Sequence, residues 1–194
     1  MASKKNEKYT QILEGAVKVF ARHGFFRSQV SKIAKEAGVA DGTIYLYFKN
    51  KEEILIKIFE FKLGKLVERF QSSIGKADNA KEAIREICTI HYSQMEEDVD
   101  FAYVAQIELR QSSLELRKAI GQTIKPYIQL IESILMRGIE ENVFRSDMNV
   151  KLVRLLLFGA MDEVITSWLI SGRKYSLMEQ IDGTVDFFLR GIRS

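Results

Sequence analysis

One cysteine, one proline, one tryptophan and two histidines in 194 residues remove several kinds of protein from consideration. The single cysteine, Cys88, has no partner for an intramolecular disulfide and sits in a helical run, so it reads as a small buried side chain. A lone proline with 46% hydrophobic residues argues against disorder and against a turn-rich all-β fold. No run of 18 apolar residues occurs, and MASKKNEKYT leads into an amphipathic helix rather than an apolar signal core, so a soluble, cytoplasmic protein with no membrane partner is expected. His23 and His91 stand isolated, and no HExxH, GxSxG, CxxC or phosphate-loop pattern appears. Asp162 and Glu163 are adjacent on one helix and point to different faces. Neither an enzyme nor a metal site is expected, and no cofactor.

What is present is helical patterning. The richest stretch is SQVSKIAKEAGVADGTIYLYFKN, residues 28 to 50, which reads as two short helices joined by a tight turn. Val30, Ile33, Ala34 and Ala37 share one face of a helix over 28–37, and Gly38 ends it. Asp41 is the expected N-cap of a second helix over 42–47, whose small start at Gly42 and Thr43 allows close approach to a duplex. Tyr45, Tyr47 and Lys49 place two hydroxyls and a charge within reach of phosphates. A preceding helix over 8–23 carries Ile12, Leu13, Ala16, Val17, Val19 and Phe20 as an apolar stripe and stops at Gly24. Phe25, Phe26 and Phe48 are expected to complete this small core.

The net charge of +3 is unevenly spread. Residues 1–50 hold nine Lys/Arg against four Asp/Glu, whereas the remaining 144 hold 20 against 22. A positive segment that coincides with a helix-turn-helix pattern suits a polyanionic partner.

A fourth helix is expected from Asn50, a good N-cap followed by Glu52 and Glu53, to Ile74. Its first part (Ile54, Leu55, Ile58, Phe59) is expected to dock on the small domain and its later part (Leu63, Leu66, Val67, Phe70) on a second one. The chain is therefore expected to divide into residues 1–50, a helix-turn-helix domain, and 51–194, a second helical domain. After an interruption at 75–79, helices are expected over 79–96, 99–112, 114–141, 148–171 and 176–192, with Pro126 removing a ladder bond and kinking the third of these. The last two are the most apolar, which suits either simple burial or a four-helix contact in a homodimer.

AVKVFARHGF, VSKIAKEAGVADGTIYLYFKNKEEIL and the all-helical remainder resemble the TetR family of bacterial transcriptional repressors. More narrowly, VADGTIYLYFKNKEEIL with QIELRQSSLELR and FGAMDEVITSW resembles the Gram-positive, FadR-type fatty-acid-degradation repressors within it. The resemblance implies an all-α, TetR-like fold and a homodimer on palindromic double-stranded operator DNA, released by a long-chain acyl-CoA. It carries DNA contacts onto Ser28, Gln29, Thr43, Ile44, Tyr45, Tyr47 and Lys49. Three positions depart from the family: Gln29 stands where threonine is common, Ala40 where serine is, and Tyr47 where histidine is.

A fatty acyl tail needs a long apolar channel. Tyr92, Met95, Phe101 and Tyr103, then Val104 and Ile107, and later Phe158, Met161 and Trp168 are the candidate lining, each also readable as plain core. Coenzyme A phosphates want cations, and Arg110, Arg117 and Lys118 form the best cluster. Arg110 reads equally well as forming surface ion pairs with Glu108 and Glu115. Two other readings remain open: a multidrug-type repressor sensing lipophilic cations through Asp162, Glu163 and Trp168, and a helical lipid-binding protein without a regulatory role.

Overall fold

A computed structural model describes residues 2–75, 77–111 and 113–193, and among them it is helical throughout, with no strand. The helices are α1 (Ala2–His23), α2 (Val30–Glu36), α3 (Asp41–Ile44), α4 (Lys51–Ile74), α5 (Ala80–Glu97), α6 (Val99–Glu108), α7 (Leu114–Glu140), α8 (Val150–Ile170) and α9 (Ile181–Ile192), the last preceded by a 3-10 turn over Leu177–Gln180. Lys76, in the expected interruption, and Ser112, at the expected end of a helix, lie outside the described residues. By its contacts the chain forms two compact units, Met1–Lys62 with Val99–Thr123, and Leu63–Asp98 with Ile124–Ser194. This partition differs from a break at residue 50, because the first turns of α4, all of α6 and the start of α7 pack with the N-terminal helices.

In the first unit the α1 stripe is buried as its spacing demands: Ile12, Leu13 and Ala16 are fully covered, and Val17, Val19 and Phe20 nearly so. Each of these side chains larger than alanine contributes roughly 1.5–3 kcal/mol. At Gly15 a Cβ would come within 3.0 Å of Ala37, so the glycine permits the close crossing of α1 and α2. α2 ends where Gly38 takes φ +67°, with Val39 N–H donating to the Ala34 carbonyl (3.0 Å) and Gly38 N–H to that of Lys35 (3.2 Å), a Schellman closure. α3 starts one residue early. Ala40 occupies the N-cap with extended backbone and no side-chain bond, so Asp41 does not cap α3 but lies in its first turn, where the helix dipole still favours its charge. Asn50 caps α4 as expected: its Oδ1 accepts from Glu53 N–H (2.8 Å), and Glu53 reaches back to accept from Lys49 N–H (2.6 Å).

Ile54, Leu55, Ile58 and Phe59 of α4 are fully buried in this unit, and Phe101 of α6 meets Phe59 edge-on at 6.0 Å. Lys62 closes the packing by donating to both oxygens of Glu14 (2.7 and 2.9 Å). Phe25 and Phe48 are core, but Phe26 is not: it is 67% exposed, because its neighbour Phe25 takes the inward place in the turn, against Phe20.

The second unit is built on α5, which packs against α8, α9 and the 3-10 turn, with the later parts of α4 and α7. Leu63, Leu66 and Phe70 of α4, Ile87 and Cys88 of α5, Tyr127 and Ile131 of α7, and Leu157 and Ile165 of α8 form its core. α7 continues through Pro126. It ends where Gly138 allows the Phe144 ring to lie on the helix, and the Val143 and Phe144 N–H groups both donate to the Gly138 carbonyl. Arg145 N–H then donates to the Ile192 carbonyl, which ties the end of α9 to this turn (2.9 Å).

Candidate DNA interface and effector site

The residues carried over as DNA contacts separate into two groups. Gln29 is exposed at the N-cap of α2, where its amide makes no capping bond, Lys49 is exposed just before α4, and Tyr45 is 60% exposed. Thr43 and Tyr47 are half-buried, the Tyr47 ring lying against Tyr9 and Phe48, which leaves an edge outward. Ser28 and Ile44 lie inside. Ser28 is buried and its hydroxyl donates to the Gly24 carbonyl (2.7 Å), while Ile44 is only 1% exposed, so both side chains support the element from inside.

Two structural residues were invisible to spacing. The Lys51 ammonium donates to the carbonyls of Phe25 (2.8 Å), Ser28 (3.2 Å) and Phe26 (3.3 Å) and sits 4.4 Å above the Phe25 ring, pinning the α1–α2 turn to the start of α4. Glu108, at the end of α6, is the second. Rather than joining a surface ion pair it is buried, accepting from Phe25 N–H (3.0 Å) with one oxygen and from the Gln111 amide with the other. Phe25 N–H is left without an intrahelical acceptor once α1 stops at Gly24, and the carboxylate supplies one. A third omission is Leu46, beside Tyr45 and 79% exposed. An exposed leucine in a short helical turn carries no periodicity signal.

The effector candidates fall into both units. In the first, Phe101 and Val104 are buried, Tyr103 is half-buried, and Ile107 is 56% exposed, which takes it out of the core lining. Arg110, Arg117 and Lys118 are exposed. Arg110 lines a cleft of about 350 Å³ with His23, Arg27, Phe26 and Ile107, while its guanidinium donates to the Gln106 carbonyl (2.9 Å).

In the second unit Tyr92, Met95, Met161 and Trp168 are buried and Phe158 half-buried. Tyr92 hydroxyl pairs with Thr184 (3.1 Å), and Trp168 Nε1–H donates to the Tyr175 carbonyl (2.8 Å), which fixes the indole. Their neighbours form a polar centre: His91 stacks on Tyr127 (5.7 Å, 11°) and meets Phe158 edge-on (6.3 Å), and Tyr127 stacks on Phe70 (5.1 Å). Burial pushes the His91 imidazole down to about 4, against the opposing pull of the buried Asp162 carboxylate, so it is neutral at pH 7. Burial likewise raises Tyr92 to about 12, holds Tyr127 well above an ordinary phenol, and raises the Cys88 thiol to about 12. At pH 7 these buried groups are uncharged. Among the described residues no group of His, Cys, Asp and Glu side chains could hold a metal ion, and no helix is long and apolar enough to cross a membrane.

On the last two helices Leu152, Leu155, Leu156 and Phe187 are each more than half exposed, and Leu156 and Phe187 line a cleft of about 670 Å³ with Val153, Phe188 and Ile192 and the charged Arg145, Asp186 and Arg190. Phe187 is 75% exposed, whereas Ile181, Val185, Phe188 and Ile192 of the same helix are buried.

Residues 12–58 match "Bacterial regulatory proteins, tetR family", and residues 59–191 match "YsiA-like protein, C-terminal region". The chain is 43% identical over 190 residues to the fatty acid metabolism regulator protein of Bacillus subtilis, covering 98% of each. The structure resembles that of the transcriptional regulator FadR from Bacillus subtilis in complex with stearoyl-CoA (TM-score 0.92, 43% identity, 95% of this chain and 100% of that one). It also resembles the fatty acid degradation regulator FadR from Bacillus halodurans (TM-score 0.92, 42% identity, 95% of each). The all-α architecture, the helix-turn-helix and these matches over nearly the whole length agree: the chain is a transcriptional regulator rather than an enzyme, and it belongs to the tetR family of bacterial regulatory proteins.

Proposed function

We propose that this chain is a repressor of fatty-acid-degradation genes that binds a palindromic operator as a dimer and leaves it when a long-chain acyl-CoA is bound. The observation that carries the DNA half is the exposure of Gln29, Tyr45 and Lys49, with the outward edges of Thr43 and Tyr47, on a basic unit whose turn is fixed by Lys51 and Glu108. The likeness to a FadR solved with stearoyl-CoA supports the effector, and the buried apolar set Met95, Met161 and Trp168 with half-buried Phe158 supports an acyl tail. Leu152, Leu155, Leu156 and Phe187 support a second copy of the chain as the partner of α8 and α9, since large apolar side chains left in water favour burial. A DNA-bound regulator works in the cytoplasm.

Release needs the effector to prefer the conformer that cannot span two half-sites. A 100-fold loss of operator affinity corresponds to about 2.7 kcal/mol of differential binding. α4 belongs to both compact units, so it is the natural carrier of that difference. Electrophoretic shift of the DNA upstream of the gene, with and without oleoyl-CoA, tests both halves: a shift that oleoyl-CoA abolishes is expected, and an operator affinity unchanged at saturating oleoyl-CoA would refute the effector. The buried Asp162 beside His91 favours a second reading, a lipophilic cation as effector. Release by such a cation and by no acyl-CoA would establish that one.

A further inference from the structure

We propose that Leu46 is a specificity residue that reads the 5-methyl group of a thymine in each half of the operator; this rests on the DNA-binding reading above. Around the helix-turn-helix, Phe26 apart at 67% exposure, the large aliphatic and phenylalanine side chains go to the core: Ile33, Ile44 and Phe48, all within 15 residues of Leu46, are no more than 2% exposed. Leu46 is 79% exposed, in the middle of the segment that presents Tyr45 and Lys49. Its backbone is held, Leu46 N–H donating to the Thr43 carbonyl (3.2 Å) and Phe48 N–H to that of Ile44 (3.0 Å), so the side chain projects from a fixed turn and not from a loose loop. Four residues earlier, on the same side of the turn, Gly42 has no side chain and nothing within 4 Å of where a Cβ would lie. An apolar prong stands beside open space on a surface whose other exposed side chains are mainly polar, the Gln29 amide, the Asp41 carboxylate, the Tyr45 hydroxyl and the Lys49 ammonium, with the small Ala40.

Leucine offers no donor or acceptor, so against a duplex it gains only where it meets apolar surface. In the major groove one of the four bases supplies that, thymine through its C5 methyl. The tyrosine and lysine next to Leu46 anchor to phosphate oxygens and set the depth of the helix, and such contacts carry no sequence information of their own. Leu46 then supplies discrimination at one base pair per half-site, worth about fourfold in affinity for each methyl buried.

The test begins with selection of a binding sequence from random duplex DNA by the full-length protein. Each thymine of that sequence is next replaced singly by deoxyuridine, which pairs identically and lacks only the methyl, and affinities are measured by fluorescence anisotropy. For the wild-type protein one symmetry-related thymine position is expected to lose about fourfold per methyl, and for Leu46→Ala that position is expected to become indifferent to the methyl. Because duplexes are compared on one protein, any change in its folded fraction cancels. Leu46→Gln is expected to shift the selected base at the same position from thymine toward adenine, which a glutamine amide pairs with. Identical deoxyuridine profiles for wild type and Leu46→Ala, or an unchanged selected sequence for Leu46→Gln, overturn the assignment while leaving DNA binding intact. Failure of the wild-type protein to enrich any sequence overturns the DNA-binding reading and this assignment together.

Discussion

Replacing Glu108 by alanine tests how the first unit is held together. In the folded chain this buried carboxylate accepts from Phe25 N–H at 3.0 Å and from the Gln111 amide, joining the end of α6 to the turn that precedes α2. Alanine leaves the buried peptide N–H with no acceptor, which costs about 1–3 kcal/mol, and strands the Gln111 amide as well. About 3 kcal/mol is expected in total. At 2–4 °C per kcal/mol for a chain of this size, the melting temperature falls by roughly 9 °C. Glu108→Gln separates the hydrogen bond from the charge. Its carbonyl still accepts from Phe25 N–H, and its amide can donate to Gln111 Oε1, the buried side-chain oxygen among the described residues that has no partner, once the Gln111 amide turns over. The glutamine variant is therefore expected to lose about 1 kcal/mol. Both variants are followed by thermal and urea denaturation, and by operator affinity at 25 °C, where the alanine variant is expected to bind DNA more weakly because Gln29 is carried by the loosened turn. A melting temperature for Glu108→Ala within 2 °C of wild type, or a glutamine variant as damaged as the alanine one, would refute the reasoning.

Lys49→Ala is expected to weaken binding to every duplex alike and to reduce the slope of log affinity against log salt by about one; a loss confined to the operator would contradict a phosphate contact. His91 gives a pH signature. Its folded value of about 4 lies below the ordinary 6.5, so between those values the unfolded chain binds more protons and stability falls as pH drops from 6.5 to 4, by up to ~1.4 kcal/mol per pH unit. Urea titrations at pH 7, 6 and 5 are expected to show a steeper decline for wild type than for His91→Gln, and equal declines would rule out the buried neutral imidazole. Cys88, with its thiol raised to about 12 by burial, is expected to resist a thiol reagent at pH 8 until the chain is denatured, and rapid labelling of the folded protein would show that the site opens. Leu155→Asp with Phe187→Asp places two charges on the exposed apolar face of α8 and α9 and is expected to yield monomers in sedimentation velocity, whereas dimers of undiminished stability would move the interface elsewhere.

Periodicity served where a side chain's fate depends on its own helix. Ile12 to Phe20, Ile54 to Phe59 and the glycine that closes α2 were legible because a 3.6-residue stripe and a left-handed stop are local properties of the chain. The helix-turn-helix was legible in outline for the same reason, yet Ser28 and Ile44 turned inward, since a short turn does not reveal which of its residues face the core. Phe26 and Phe187 show the limit from the other side. Each neighbours a buried phenylalanine, Phe25 or Phe188, and composition alone cannot say which of the two goes inside. Glu108 lies 83 residues from the N–H it accepts, in a helix that reads as part of the later domain, and no pattern along the chain joins them. The first unit is therefore completed by α6, a segment from the C-terminal part of the sequence. The Glu108 carboxylate is the hydrogen-bonded link between the end of α6 and the turn between α1 and α2, beside the packing of α6 on α1.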